Sequence, residues 1–174
     1  MTYITKSIWY EPILLETLGA HDVWDFLPAS PGVYIIMRGS PIPRIGGTDN
    51  KGIIYIGKSK ILLDRLWSFW RVRNHIASDF LCAHPTIAQT ILNNKQIKKE
   101  ADVEKSLGKL RVRYCAPIED SLLEGAEGTL FFAYIGHFGE APPLNLNLPG
   151  RWNKLPAKQA LEWAREGLYI KASR

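Results

Sequence analysis

The chain has 174 residues, 46% of them hydrophobic, with a formal charge of +5 and a pI near 9.2. This size and composition suit one compact domain with a fringe at either end, and exclude a disordered or fibrous chain. The moderate basicity supports a polyanionic partner without requiring one.

Cys82 and Cys115 lack metal-ligand spacing and read as reduced core residues, while His21, His75, His84 and His137 show no HExxH-type pairing. With no basic leader followed by an apolar core, and no apolar run long enough to cross a bilayer, a soluble cytoplasmic protein is expected.

In chain order, residues 2–18 carry Ile8, Trp9, Tyr10, Ile13, Leu14 and Leu15, an arm packed on the domain with no assignable secondary structure. A short helix is expected over 20–27, ended by Pro28. After the turn Ser30-Pro31-Gly32, the β-branched run Val33 to Met37 predicts a buried strand. Residues 38–51 are rich in Gly, Pro, Ser, Asp and Asn and read as a long connection, made basic by Arg38, Arg44 and Lys51. Such a loop suits nucleic acid or simply solvent.

From Gly52 an apolar run of strand length closes at Gly57, Ser59 offers an N-cap oxygen, and Leu62, Leu66, Phe69 and Trp70 follow at helical spacing. This is a strand feeding a helix. Lys58, Ile61 and Arg65 fall three and four apart, so an ammonium and a guanidinium share one side near the phenol of Tyr55. That cluster, with the positive start of the helix, suits phosphate; the alternative is the solvated face of an amphipathic helix. Next, Arg71, Arg73 and His75 interleave with Trp67, Phe69 and Trp70, which reads either as a nucleic-acid contact or as a core stripe with solvated neighbours. A helix holding Ile87, Ile91 and Leu92 is expected after Thr86, and an exposed excursion over 93–108.

Lys109 to Tyr114 alternates, sending Leu110, Val112 and Tyr114 to the core and projecting Lys109, Arg111 and Arg113 as a row of cations. Asp120 or Ser121 can cap the next helix, whose apolar stripe is Leu123, Ala126, Leu130, Phe131, Tyr134 and Phe138. Glu127 interrupts this stripe. A carboxylate so placed needs an ionic partner or a metal, and structural pairing is the commoner use. Pro142 to Asn147 leaves the helix extended, and a closing helix over 156–166 is anchored by Leu161 and Trp163.

Gly32-Val33-Tyr34 on one strand, Tyr55-Ile56-Gly57 on the next, Lys58 directly after, Arg65 in the following helix and a helical Glu127 before Pro142-Pro143-Leu144-Asn145 form an ordered set. In this set the chain resembles the GIY-YIG nuclease family. The resemblance covers residues 31–148 as a nuclease domain, with 1–30 as an N-terminal extension and 149–174 as a C-terminal helical extension. It implies an α+β fold, a small three-stranded antiparallel sheet flanked by helices, with strands near 33–38, 52–57 and 109–115.

It further implies Tyr34, Tyr55, Arg65, Lys58, Glu127 and Asn145 as catalytic residues, with Glu127 holding one Mg²⁺ or Mn²⁺. The expected reaction is DNA phosphodiester hydrolysis to 5′-phosphate and 3′-hydroxyl ends. Arg65 would neutralise the developing charge, and a phenol, Tyr34 by preference, would take the proton from water. The chain departs from the family pattern in its long connection between the tyrosines, in Phe69 where His or Tyr is frequent, and in the long step from Glu127, which leaves Asn147 an alternative to Asn145. Arg71, Arg73, His75, Arg111 and Arg113 are candidate DNA contacts. A catalytically degenerate DNA-binding module and a plain interaction domain are the alternatives. The use of the nuclease in restriction, repair or a mobile element, and whether it acts as a monomer or homodimer, stay open.

Overall fold

The computed structural model describes residues 7–14, 17, 26–73, 110–150 and 156–171, with the backbone alone for 69–73. Its elements in chain order are β1 (Ile8–Trp9), β2 (Ile13–Leu14), β3 (Gly32–Met37), β4 (Ile42–Arg44), β5 (Gly47–Asp49), β6 (Ile53–Ser59), α1 (Leu62–Arg73), β7 (Arg111–Ala116), α2 (Leu123–Phe138) and α3 (Lys158–Gly167). The fold is α+β, with an antiparallel sheet and helices on it. The helices expected over 20–27 and after Thr86, and the excursion 93–108, lie wholly or mostly outside the described residues.

β3 is the middle of the sheet, with β6 along one side and β7 along the other, both antiparallel. The three expected strands therefore form one sheet, shifted by one or two residues at their ends. The sheet is wider than expected, because β1 and β2 of the N-terminal arm both pair with β7, giving five strands among the described residues. The reason is the outer edge of β7, whose backbone groups need partners; between the two short strands Tyr10 N–H donates to the Tyr114 carbonyl at 2.9 Å.

Alternation along the strands divides the core into two layers. Val33, Ile35, Met37 and Ile56 pack with Leu130, Phe131 and Tyr134 of α2 and Trp163 of α3. Tyr34, Ile36, Tyr55, Val112 and Tyr114 pack with Leu62 and Leu66 of α1. A register shift opposite Ile36 and Met37 takes Ile54 out of step, which aims Tyr55 at the α1 side and Ile53 at the α2 side. Gly32 permits the close packing of α1, since a Cβ there would collide with Leu62 and with the Cys115 carbonyl.

Two expectations about cations are overturned. The connection 38–51 is no irregular basic loop: β4 and β5 form a hairpin, and Gly46 N–H bonds the Phe138 carbonyl at 2.8 Å. Asp49, buried, accepts from the N–H groups of Lys51, Gly52 and Ile53 and from Tyr134 Oη at 2.7–3.0 Å. Arg44 lies 3.8 Å from Glu140 and Lys51 Nζ 4.3 Å from the Tyr169 ring, so both cations are held against the domain.

Nor does β7 project a row of cations. Arg113 is only 4% exposed, packed 4.1 Å from the Tyr169 ring and 5.4 Å from that of Trp9. It donates to the carbonyls of Glu166 and Gly167 at the end of α3. The face assumed to be solvated is covered by the arm and α3, where aromatic faces and a helix C-terminus offset the burial of the guanidinium, although its Nε has no hydrogen-bond partner among the described residues. Arg111 remains exposed.

At α2 the expected stripe is buried throughout. The cap differs: a 3₁₀ turn over Asp120–Leu122 leads into the helix, with no side chain capping it. α3 falls close to the expected span, with Trp163 buried and Leu161 packed on the core.

Replacing Asp49 by Ala would strand a buried hydroxyl and up to three N–H groups. The expected cost is roughly 3 kcal/mol or more, read as a lower urea midpoint.

Candidate functional site

The two signature tyrosines meet because Gly57 has no side chain. Tyr34 and Gly57 are register partners across β3 and β6. A Cβ at Gly57 would lie 2.6 Å from Tyr34 Cζ and Oη and 2.7 Å from Tyr55 Cε1. In the space so left the two rings stack, with centroids 6.0 Å apart and planes at 25°.

Burial raises the pKa of both phenols. Tyr34 is pushed well above 10 by desolvation and by neighbouring Tyr55, against a smaller downward pull from Arg65. Tyr55 is pushed up to about 12 by desolvation, with the Glu127 carboxylate next in effect. Hydrogen bonding between the two side chains raises Tyr34 and lowers Tyr55. Without a metal, desolvation outweighs the pull of Arg65 on Tyr34, and the Lys58 charge is engaged elsewhere.

β6 continues through Ser59 rather than closing at Gly57. Lys58 is therefore a strand residue, on the same side as Ile56, and its Nζ lies 3.0 Å from Glu127 Oε2 of α2. The side chains are 36% and 14% exposed, respectively. Burial raises the pKa of Glu127, the hydrogen bond and charge of Lys58 lower it, and Glu124 one turn away raises it further. Arg65, on α1, approaches from the other side of the sheet, and its charge and that of Glu127 both act on Tyr34 and Tyr55. Residues separated by nearly a hundred positions thus converge around the outer edge of β6.

Two clefts adjoin this edge. One, of about 650 Å³, is lined by Lys58, Lys60 and Arg65 together with Asp64, Asp120 and Glu124. The other, of about 290 Å³, is lined by Tyr55, Glu127, Asn145, Leu146 and Asn147, among others. The Lys58–Glu127 pair stands between them, one partner in each wall. Lys60, paired with Asp120 at 3.0 Å, carries no signal in the sequence, because its place in the cleft depends on the turn before α2.

Asn145 acts through the strand. Its amide accepts from Ile56 N–H at 2.9 Å and donates to the Ile56 carbonyl at 2.8 Å, while Leu144 N–H donates to the Ile54 carbonyl at 3.0 Å. The segment therefore pairs with the edge of β6 as a short strand would, and Asn145 rather than Asn147 is the residue that fixes it. The start of α1 is not free for an anion as expected. The N–H groups of Leu62 and Leu63 are satisfied by the carbonyls of Ser30 and Pro28, and Ser59 Oγ takes Ile61 N–H.

Among the proposed DNA contacts, Arg113 is excluded by burial. The side chains of Arg71, Arg73 and Phe69, and all of His75 and His84, lie outside the described residues. Among the described residues there is no group of three or more His, Cys, Asp and Glu suited to a metal, and no helix long and apolar enough to cross a membrane. Glu127, paired with Lys58 at 3.0 Å, would have to exchange that partner for Mg²⁺, an ion that can bind through a single carboxylate and otherwise keeps waters and phosphate oxygens. No protein family, curated protein or solved structure matches this chain.

Gly57→Ala should drive the phenols apart, and in an alkaline absorbance titration at least one should return toward the ordinary tyrosine range near ~10. For the wild type the linkage has a definite sign. Tyr55 rises from 10.0 to about 12 on folding, so its protonated form contributes stability that is complete below pH 10 and disappears as pH climbs through about 12. Denaturation midpoints should fall across that window, and less so in a Tyr34→Phe/Tyr55→Phe double variant.

Proposed function

We propose that this protein is a metal-dependent DNA endonuclease of the GIY-YIG type, hydrolysing phosphodiesters to 5′-phosphate and 3′-hydroxyl ends. The observation that carries this reading is the convergence of Tyr34, Tyr55, Arg65, Lys58 and Glu127 around the edge of β6. Acids and cations in a structural pair have no need of two stacked phenols beside them.

Glu127 would hold the Mg²⁺ or Mn²⁺, which when bound polarises the scissile phosphate and acidifies water. Arg65 offers a planar fork to the non-bridging oxygens and neutralises the charge that grows there. Lys58, once its carboxylate partner turns to the metal, is a second cation for the same phosphate. Both phenols are buried, but Tyr55 lines the cleft shared with Glu127 and Tyr34 does not, which makes Tyr55 the better proton acceptor. Tyr34 orients Tyr55 and stabilises its anion by donating a hydrogen bond. Asn145 holds the backbone on which Tyr55 stands.

A second reading is favoured by the closed Lys58–Glu127 pair and by two phenols held protonated: a module that binds DNA without cutting it. Cleavage of plasmid and branched DNA with Mg²⁺, and with chelator, separates the two. On the nuclease reading, Glu127→Ala and Arg65→Ala each lower the rate by roughly 10²-fold or more, and Tyr55→Phe by about 10²–10⁴-fold, more than Tyr34→Phe. Metal-independent, salt-sensitive binding with no cutting by the wild type supports the binding module.

The phenol adds a pH signature. Burial holds the Tyr55 phenol protonated at pH 7 when no metal is bound. If Tyr55 is the base, single-turnover rates in Mg²⁺ should rise with pH, by up to about tenfold per unit, until the pKa of the phenol beside the metal is reached; a rise left unchanged by Tyr55→Phe would rule Tyr55 out as the base.

A further inference from the structure

The Lys58–Glu127 pair stands between two clefts that suit ligands of opposite charge. Lys58 lines the larger beside Arg65, and Glu127 lines the smaller beside Tyr55. A phosphate in the first calls for the ammonium, and a divalent ion in the second calls for the carboxylate. With the two groups 3.0 Å apart, each is held from its ligand by the other.

The backbone on both sides is fixed. Lys58 is the register partner of Val33 on β3, and Glu127 lies inside the unbroken helix α2. Exchange of partners is therefore a rotation of two side chains, one of them the flexible four-carbon stem of lysine. Opening is costly all the same, because the carboxylate of Glu127 is mostly buried and loses the cation that offsets its desolvation. A ligand that opens the pair alone bears that whole cost, and the second then meets a group already released. The neighbouring Lys60–Asp120 pair has the same 3.0 Å separation but is 79% and 51% exposed. Water replaces either of its partners at little cost, so it links nothing.

We propose that the Lys58–Glu127 pair is a latch between the two clefts: drawing Lys58 to a DNA phosphate frees Glu127 for a divalent ion, and the reverse, so that DNA and metal each raise the affinity for the other. This inference rests on the nuclease reading and adds how its site is controlled. The coupling is reciprocal by linkage.

The test begins with equilibrium binding of a short blunt DNA duplex in chelator, where neither metal nor cutting takes part. Glu127→Gln releases Lys58 and should tighten binding by about fivefold or more, whereas the same change made in Lys58→Gln should have no effect. Asp120→Asn, which removes an equal charge from the wall of the larger cleft, should not reproduce the gain. Equal tightening by Glu127→Gln in both backgrounds, or by Asp120→Asn, is charge removal without a latch and overturns the proposal, as does no tightening at all. The second arm is Mn²⁺ binding to the DNA-free protein, read by loss of the free-ion electron paramagnetic resonance signal. Lys58→Gln should bind about tenfold more tightly than the wild type, and an unchanged affinity overturns the latch while leaving the nuclease reading standing. If Lys58→Gln does not fold, the wild type decides alone: its duplex affinity should rise about tenfold from chelator to Ca²⁺ at constant ionic strength, and no rise overturns the latch. Mn²⁺ bound equally by wild type and Glu127→Gln removes Glu127 as the metal ligand, and the nuclease reading falls together with the latch.

Discussion

The ion pair between Lys58 and Glu127 is the constraint on which the site depends. A carboxylate in the apolar stripe of α2 is costly unless a cation reaches it. The cation arrives only because β6 runs on past Gly57, which puts Lys58 on the α2 side of the sheet at 3.0 Å. The pair ties helix to strand at the outer edge of β6, and Tyr34, Tyr55, Arg65 and Asn145 are disposed about that edge. The tyrosines lie on the opposite side of the strand in the space left by Gly57, and Asn145 closes the edge itself through Ile56.

Burial and charge pull the site in opposite directions. Desolvation is the largest influence on Tyr34, Tyr55 and Glu127 alike, and in each it disfavours the anion. Lys58 offsets this at Glu127, with which it pairs at 3.0 Å, while the two phenols stay protonated at neutral pH. On the proposed reading a bound divalent cation would shift the balance further toward the anions. Groups held at some cost to the fold are typical of sites shaped by function rather than stability.

The extensions complete the domain. Trp9 of the arm donates its indole N–H to the Trp163 carbonyl at 3.1 Å, and the two rings lie 5.2 Å apart. Arg113 of β7 reaches across to the end of α3, and Gly167 lacks a side chain where Trp9 presses against it. Residues at the two ends of the chain thus cover one side of β7, which accounts for the charge found there. A guanidinium in a strand reads as solvent-facing only while its covering layer is unknown.

What the sequence determined by itself was local and periodic. The buried run at Val33, a strand ending near Tyr114 with Leu110, Val112 and Tyr114 toward the core, the stripe from Leu123 to Phe138 and the anchors of the last helix are each written in neighbouring residues, and the structure has these among its described residues. The mismatch of Glu127 with its stripe was equally visible, since charge against period is a local contradiction. The tertiary structure alone decided who answered it. That Lys58 turns to the α2 side, that Asn145 serves Ile56, that Arg113 is enclosed and that the 38–51 connection folds into a hairpin on α2 all depend on partners distant in sequence. Strand ends, edge partners and the filling of each face follow from packing between segments, and the pattern within any one segment carries no record of it.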